Sequence, residues 1–170
     1  MMPVNPKATS CFPLVGQPSE LLIREILEYA VRWAPRQEIV YRDLLRFTYT
    51  DLWQRVQRLA RVLQQMGVES GDRVGVMDWD SHRYLELFFA VPMIGAVLHT
   101  INVRLTPDQA LFTITHAEDK VLFVHSDFLP LLAHLAPHCP MVQRMVLLTE
   151  GAPPPGLNFR FAGEYEQLLA

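Results

Sequence analysis

The chain has 170 residues, of which half are hydrophobic and 19% are charged. This length and composition suit a single domain with a substantial core and exclude a disordered segment. The formal net charge is -3, with 15 basic and 18 acidic residues spread along the sequence, which excludes the concentrated positive surface that nucleic-acid binding needs. Two cysteines provide no disulfide framework and favour a reducing compartment.

Residues 1–18 are predicted to be an N-terminal arm, because they contain several prolines and no apolar stretch of signal-peptide length. A first helix is predicted to follow, with Ser19 as its cap and Pro35 at its end. Its apolar residues recur at helical spacing: Leu22, Ile23, Ile26, Leu27, Ala30 and Trp33.

Residues 38–41 and 45–48 predict the two strands of a short hairpin. Thr48 and Asp51 have the spacing of a capping box and predict a second helix, which Gly67 is placed to end in a left-handed conformation. One face of this helix is apolar. The opposite face carries arginines and glutamines, and we expect it to be solvated: Arg55, Arg58, Arg61, Gln64 and Gln65.

Beyond Gly67, short apolar runs alternate with segments of helical pattern. The apolar runs begin near Arg73, Val97, Val121 and Arg144, and the helical segments are 81–94, 106–117 and 128–136. Strands and helices that alternate in this way predict βαβ units, and strands that are apolar on both faces predict a sheet covered by helices on both sides. We therefore predict an α/β domain over 19–150, with about four parallel strands preceded by a helix and a hairpin.

Residues 151–170 are predicted to be a stiff proline-rich connection followed by the start of a further helix at Glu164. The sequence stops inside this amphipathic pattern, which predicts a truncated protein. Residues 87–103 are strongly apolar but short for a membrane span, and a buried helix followed by a buried strand explains them better. The N-terminal arm and this segment together predict a cytoplasmic protein.

The most interesting polar cluster follows the second parallel strand and consists of His99, Thr100, Asn102 and Arg104. Ligands of parallel sheets gather at the carboxyl ends of strands, so these four residues are candidates for lining or supporting a substrate pocket. The structural alternative is that Asn102 and Arg104 support the loop that leads to the helix at Thr106.

Asp78 and Asp80 follow the first parallel strand and are weaker candidates, because a helix-capping role for Asp80 or Ser81 explains that segment more simply. No Gly-x-Ser-x-Gly elbow and no glycine-rich phosphate loop with a lysine is present in the sequence. The spacing of His134, His138 and Cys139 resembles that of metal ligands, but the sequence contains no second cluster that would complete a zinc site. We therefore expect no catalytic, cofactor-binding or metal-binding residue within this chain.

Four segments resemble AMP-forming acyl-CoA synthetases, the adenylating enzymes that activate fatty acids. They are FTYTDL at 47–52, GVESGDRVGVM at 67–77, RYLELFFAVPMIGAVLHTINVRLTPDQ at 83–109 and HAEDKVLFV at 116–124. The combination of FFAVP and HTIN-x-RL is most similar to the medium- and long-chain fatty-acid branch. The family usually has proline where this chain has Val103, so the loop here lacks one rigid residue.

The resemblance implies a two-step ligase that uses ATP, Mg and coenzyme A: an acyl-adenylate forms first, and the thiol of coenzyme A then displaces AMP. It implies that this chain is the first subdomain, which builds one wall of the acyl pocket and contributes to a homodimer contact. The phosphate-binding motifs of the family have no matching position here, so the chain alone should be inactive. A cytoplasmic location is expected, and the alternative is peripheral association with a membrane.

Two other hypotheses compete with this one. The first is a non-catalytic binding or dimerisation module of the same ancestry, which would use an exposed sheet edge and apolar surface to pair with a partner. The second is an unrelated flavodoxin-like nucleotide binder, against which the missing glycine-rich loop argues.

Overall fold

The computed structural model describes residues 22–151 and 160–170. Helix α1 (Ile23–Trp33) begins with Leu22 at its N-cap position, and the predicted cap Ser19 lies outside the described residues. Strands β1 (Glu38–Tyr41) and β2 (Leu45–Thr48) pair antiparallel, which confirms the predicted hairpin.

Helix α2 (Tyr49–Gln65) begins at the predicted capping box. The Thr48 hydroxyl accepts a hydrogen bond from the Asp51 backbone N–H at 3.2 Å, and the Asp51 carboxylate accepts one from the Thr48 backbone N–H at 2.8 Å. These bonds satisfy two of the donors that every helix start leaves free. At the other end Gly67 takes a φ of 84°, which confirms its predicted left-handed conformation.

The central sheet has five parallel strands in the order β4-β3-β5-β6-β7. Four of them lie where apolar runs were predicted: β3 (Arg73–Met77), β4 (Val97–Thr100), β5 (Val121–His125) and β6 (Arg144–Leu148). The fifth, β7 (Gly163–Glu164), has only two residues and therefore gives no periodic signal in the sequence. It is followed by α6 (Tyr165–Leu169), for which Glu164 is the N-cap.

Helices cover both faces of the sheet, as predicted. On one face α1, α2, α6 and helix α3 (His82–Met93) pack over Val74, Phe123 and Val146. On the other face α4 (Pro107–Ala117) and α5 (Leu129–Leu135) pack over Met77, Leu122 and Leu147. Phe123 and Leu122 belong to opposite cores because successive side chains of a strand point to opposite faces.

Gly75, in the middle of β3, lets two neighbouring side chains approach the strand closely. A Cβ atom built at Gly75 would lie 2.7 Å from Leu122 Cδ1 and 2.8 Å from Asp119 Oδ2. Both neighbours are buried, so neither can move away into solvent.

Gly75→Ala should therefore destabilise the fold by about 1–3 kcal/mol through overpacking of the core. Urea unfolding followed by circular dichroism measures the change. Gly151→Ala is the matched control, because a Cβ atom at Gly151 meets nothing within 4 Å. Equal stability of the two variants would contradict the close approach at Gly75.

Candidate functional site

His99 lies on edge strand β4 and forms a pair with a buried carboxylate. Its Nδ1 is 2.7 Å from Asp119 Oδ2, and Asp119 is completely buried in the turn before β5. The carboxylate reaches β4 across Gly75, where no side chain blocks its path. The pair therefore joins the edge strand to the α4–β5 turn, and burial of Asp119 makes such a partner necessary.

Thr100, Asn102 and Arg104 continue along the same edge and are exposed. Asn102 Oδ1 accepts a hydrogen bond from the Arg104 backbone N–H at 3.0 Å, and the Asn102 carbonyl accepts one from the Leu105 N–H at 3.2 Å. These bonds shape the loop before α4. None of the four candidate residues lines the two cavities described below, and their role in a substrate pocket stays a prediction.

The sheet changes winding direction at β3, since the chain adds β4 on one side of it and β5 on the other. Binding crevices of open α/β sheets lie at the carboxyl ends of strands at such a point. Asp78, one of the weaker candidates, lies here and accepts a hydrogen bond from the Ser81 hydroxyl. Burial raises the pKa of Asp78. Ser81 in turn accepts hydrogen bonds from the first backbone N–H groups of α3, so it is the helix cap that the sequence predicted.

Arg83 is a buried cation at this edge that the sequence analysis did not single out. The residue is 3% exposed, and Nη2 donates a hydrogen bond to the Thr149 carbonyl at 2.7 Å. Among the described residues, Nε and Nη1 have no hydrogen-bond partner. Arg83 lines a cavity of about 460 Å³, the carboxyl-edge cavity, with these residues around it: Tyr41, Leu44, Leu45, Arg55, His82, Thr149, Glu150, Gly151, Glu164 and Glu166.

Arg55 connects three elements at the floor of the carboxyl-edge cavity. Its Nε lies 2.7 Å from Glu86 Oε1 on α3, and its Nη2 lies 2.9 Å from both carboxylate oxygens of Glu166 on α6. Glu86 is completely buried and also accepts a hydrogen bond from the hydroxyl of Tyr165 at 2.5 Å. We call Arg55, Glu86, Tyr165, Glu166 and His82 the Arg55 cluster.

The contacts within the Arg55 cluster favour an ionised Glu166 and a protonated Tyr165. Burial by itself would raise the pKa of Glu166, but its hydrogen bond with His82 and the charge of Arg55 hold that pKa at about 2. Burial beside Glu86 raises the pKa of Tyr165 well above its usual value, so its hydroxyl stays protonated and donates. His82 Nε2 lies 3.1 Å from Glu166, and its ring packs near those of Tyr41 and Phe47.

Arg55 was predicted to belong to a solvated basic face of α2, and this prediction was wrong. The side chain is 18% exposed, because α3 and α6 place two carboxylates against that part of the helix. The signal that could have found the pair is Glu86, a single acid within the apolar helix of residues 82–93. An acid buried at such a position requires a cation or a set of donors.

A second depression, the hairpin groove, lies between β1 and α3 and has a volume of about 290 Å³. Most of its lining is apolar or aromatic, whereas the end at the start of α3 is polar. The walls are formed by Ile39, Val40, Tyr41, Tyr84, Leu85 and Phe88, and the polar end by Asp80, Ser81 and His82. A surface of this kind can bind an apolar chain that has a polar head.

Among the described residues that line the two cavities, no serine or cysteine is hydrogen-bonded to a histidine. The Ser81 hydroxyl is occupied by Asp78 and by backbone donors. The side chains around Arg83 and the Arg55 cluster can bind and orient polar groups, and they hold the last helix of the chain against the sheet.

Arg55→Met should destabilise the fold by about 3–5 kcal/mol, because it leaves the buried Glu86 without its cation. Arg58→Met is the matched control on the same helix: Arg58 is exposed, so its replacement should change the free energy of unfolding by less than about 0.5 kcal/mol. Chemical unfolding of both variants measures the difference. Similar stability of the two variants would show that Arg55 is not a structural ion-pair partner.

The stability of the chain should fall in acid because of Glu166. Its pKa is about 2 in the folded chain and 4.5 in an ordinary glutamate, so the unfolded state binds more protons as the pH falls. The contribution of Glu166 is complete above pH 4.5 and is lost as the pH approaches about 2. Glu166→Gln should flatten this part of the stability profile, measured by urea unfolding from about pH 6 to about pH 2.

Glu69→Gln, at an exposed position, serves as the control for the loss of one carboxylate. A Glu166→Gln variant with the same pH dependence as the unmodified chain would contradict the lowered pKa of Glu166.

Comparison with known proteins identifies the sequence relatives of the chain. Residues 27–168 match the family described as AMP-binding enzyme. A long-chain fatty-acid–CoA ligase of Thermus thermophilus is 39% identical over 148 residues, which cover 85% of this chain and 27% of that protein. A medium-chain fatty-acid–CoA ligase of Ectopseudomonas oleovorans is 34% identical over 134 residues, which cover 76% of this chain and 24% of that protein. The chain spans about a quarter of the length of these curated relatives.

The chain is also similar in structure to CoA ligases. A protein described as a long-chain fatty-acid–CoA ligase from Rhodopseudomonas palustris superposes with a TM-score of 0.74 at 26% identity, covering 86% of this chain and 36% of that one. The anthranilate–CoA ligase AuaEII shares the fold, with a TM-score of 0.74 at 24% identity over 85% of this chain and 27% of its own. The family match covers most of the sequence, and the chain therefore belongs to the AMP-binding enzyme family.

Proposed function

We propose that the chain is the N-terminal part of a medium- or long-chain fatty-acid–CoA ligase. The observation that carries this proposal is the 39% identity with the long-chain ligase of Thermus thermophilus over 85% of the chain. The similarity to the medium-chain ligase of Ectopseudomonas oleovorans supports the same substrate class. The alternative of a non-catalytic module is not favoured, because the relatives with which the chain shares most of its sequence are ligases.

The complete reaction joins a fatty acid to coenzyme A with ATP and Mg as co-reactants. A carboxylate is a poor acyl donor, so it first attacks the α-phosphate and releases pyrophosphate; the thiol of coenzyme A then displaces AMP. Phosphate charge in such a reaction must be neutralised by metal, cationic and backbone donors.

Among the described residues, no glycine-rich loop with a lysine is available for a phosphate site of that kind. Lys120, the one lysine among them, has Nζ 2.7 Å from the Gly67 carbonyl and 2.6 Å from Asp72 Oδ2. These contacts lie at the amino end of the sheet, on the side away from the carboxyl-edge cavity. We therefore assign no step of phosphate chemistry to this chain.

The contribution proposed for the chain is a wall for the acyl group. The hairpin groove supports this role, because its walls are apolar and its polar end lies at the start of α3. His99, Thr100, Asn102 and Arg104 are proposed to support the neighbouring edge of the pocket. Their contacts with Asp119 and within the loop before α4 are consistent with positioning and involve no reacting group.

The location and the oligomeric state of the whole protein are proposed from the same family resemblance. We propose that it is cytoplasmic, with peripheral membrane association as the alternative. We also propose that it forms a homodimer through this subdomain. The described residues contain no helix of the length and apolarity that a membrane crossing needs.

The chain by itself should release no pyrophosphate above background when it is mixed with ATP, Mg and a fatty acid, because its one described lysine is engaged elsewhere. A coupled pyrophosphate assay over a series of fatty acids measures this. Turnover by the chain alone would contradict the assignment of the phosphate chemistry to other segments.

A chimera tests the positive part of the proposal. The aligned segment of the Thermus thermophilus ligase is replaced by this chain, and acyl-CoA formation is measured with octanoate and palmitate. We expect thioester formation by the chimera and none by the same ligase without the segment. A chimera that folds, as judged by circular dichroism and thermal unfolding, but forms no acyl-CoA would overturn the proposed function.

A further inference from the structure

Buried polar atoms without a partner are concentrated around the carboxyl-edge cavity. Among the described residues, six buried side-chain nitrogen and oxygen atoms have no hydrogen-bond partner, and four of the six belong to three residues that line this cavity. They are Nδ1 of His82, Nε and Nη1 of Arg83, and Oε1 of Glu164. An unpaired buried polar group costs free energy, so such groups normally have partners. Their concentration at one place therefore indicates a site that binds a further group.

Arg83 is held in its orientation by one of its three guanidinium nitrogen atoms. Nη2 donates to the Thr149 carbonyl at 2.7 Å, whereas Nε lies 3.8 Å from Glu166 Oε1, which is beyond hydrogen-bond distance. The residue is almost completely buried, so bulk water does not supply the missing acceptors. A planar guanidinium that is fixed in this way is suited to donate to an oxygen atom that enters from the cavity.

Glu164 and His82 bring acceptors to the same cavity. Oε2 of Glu164 accepts a hydrogen bond from the Gln167 backbone N–H at 3.0 Å and so caps α6, while Oε1 has no partner among the described residues. Nε2 of His82 lies 3.1 Å from the Glu166 carboxylate. A neutral histidine that donates from Nε2 keeps Nδ1 as an acceptor. The cavity therefore combines donors on Arg83 with acceptors on Glu164 and His82.

The charges around the cavity disfavour a simple ion as its occupant. Glu150, Glu164 and Glu166 would repel a free anion, and Arg55 and Arg83 would repel a free cation. An uncharged group that has both an acceptor and a donor satisfies both sets of unpaired atoms. The peptide group is of this kind, because it carries one C=O acceptor and one N–H donor. The volume of about 460 Å³ lies in the range of about 300–1,000 Å³ that binding pockets have.

We propose that the carboxyl-edge cavity binds an extended backbone segment from the part of the ligase that follows this chain. One carbonyl oxygen of that segment accepts from Arg83, and one N–H donates to Glu164. The inference rests on the proposed function, in which this chain is about a quarter of a longer protein. Glu166 of α6 borders the cavity, so in that longer protein the following segment begins beside it. A tethered segment has an effective concentration on the order of millimolar, and a few hydrogen bonds are then enough to hold it.

Two substitutions remove the proposed hydrogen bonds and keep the other contact of each side chain. Arg83→Lys retains a cation that can donate to the Thr149 carbonyl but loses the guanidinium fork. Glu164→Ser retains an oxygen that can cap α6 but is too short to reach the cavity. The matched controls are Arg61→Lys and Glu69→Ser, both at exposed positions.

Hydrogen exchange followed by mass spectrometry measures the docking, in the isolated chain and in the chimera with the Thermus thermophilus ligase. We expect the amides of residues 147–151 and 163–170 to exchange at least roughly tenfold more slowly in the chimera, because the docked segment covers them. Arg83→Lys and Glu164→Ser should each abolish most of this difference, with no comparable change in the isolated chain. The two control variants should preserve it.

Equal exchange of these amides in the isolated chain and in the folded chimera would overturn the proposal. Variants that accelerate exchange equally in both proteins would also overturn it, because Arg83 and Glu164 would then stabilise only this chain. Slower exchange in the isolated chain on addition of octanoate, or of ATP with Mg, would assign the cavity to a small molecule instead. A chimera that is protected but inactive contradicts only the proposed function, and an active chimera without protection contradicts only this inference.

Discussion

Arg55 makes the contact on which the arrangement of one side of the sheet depends. A single guanidinium group joins α2 to the buried Glu86 of α3 and to Glu166 of α6. Buried carboxylates are costly without a cation, so the three helices can pack together only in the arrangement that keeps these partners in contact. The short last helix is held in this way by charge and by the hydroxyl of Tyr165, as well as by its few apolar side chains.

The parallel sheet sets the second constraint. All of its strands need cover on both faces, and the described helices provide two cores with different members. The winding direction changes at β3, and this change leaves the crevice at the carboxyl ends of β3, β5 and β6. Arg83, Asp78 and the Arg55 cluster converge there. The amino end of the sheet holds Lys120 in structural hydrogen bonds, so the two ends have different roles.

Local signals account for most of the elements that were predicted from the sequence. Both strands of the hairpin, the capping box at Thr48 and the four main parallel strands lie where the patterns placed them, because each depends on residues close together in the chain. Strand β7 has two residues and is too short to give a periodic pattern. The polar cluster at His99 was predicted from its position at a strand end, and the structure adds the partner Asp119, which lies 20 residues away.

The sequence by itself determined the family, the α/β architecture and the absence of a recognisable phosphate loop, since these depend on local periodicity and on motifs of adjacent residues. Only the tertiary structure decided which charges are buried. Arg55 looked like one of several solvated arginines, and its partners come from helices that are distant in sequence, 31 and 111 residues away. The pattern also did not decide which apolar residues of α1 are buried: Leu27 is in the core, whereas Ile26 and Trp33 are exposed. Both outcomes depend on which elements meet in space, which a pattern along one helix does not contain.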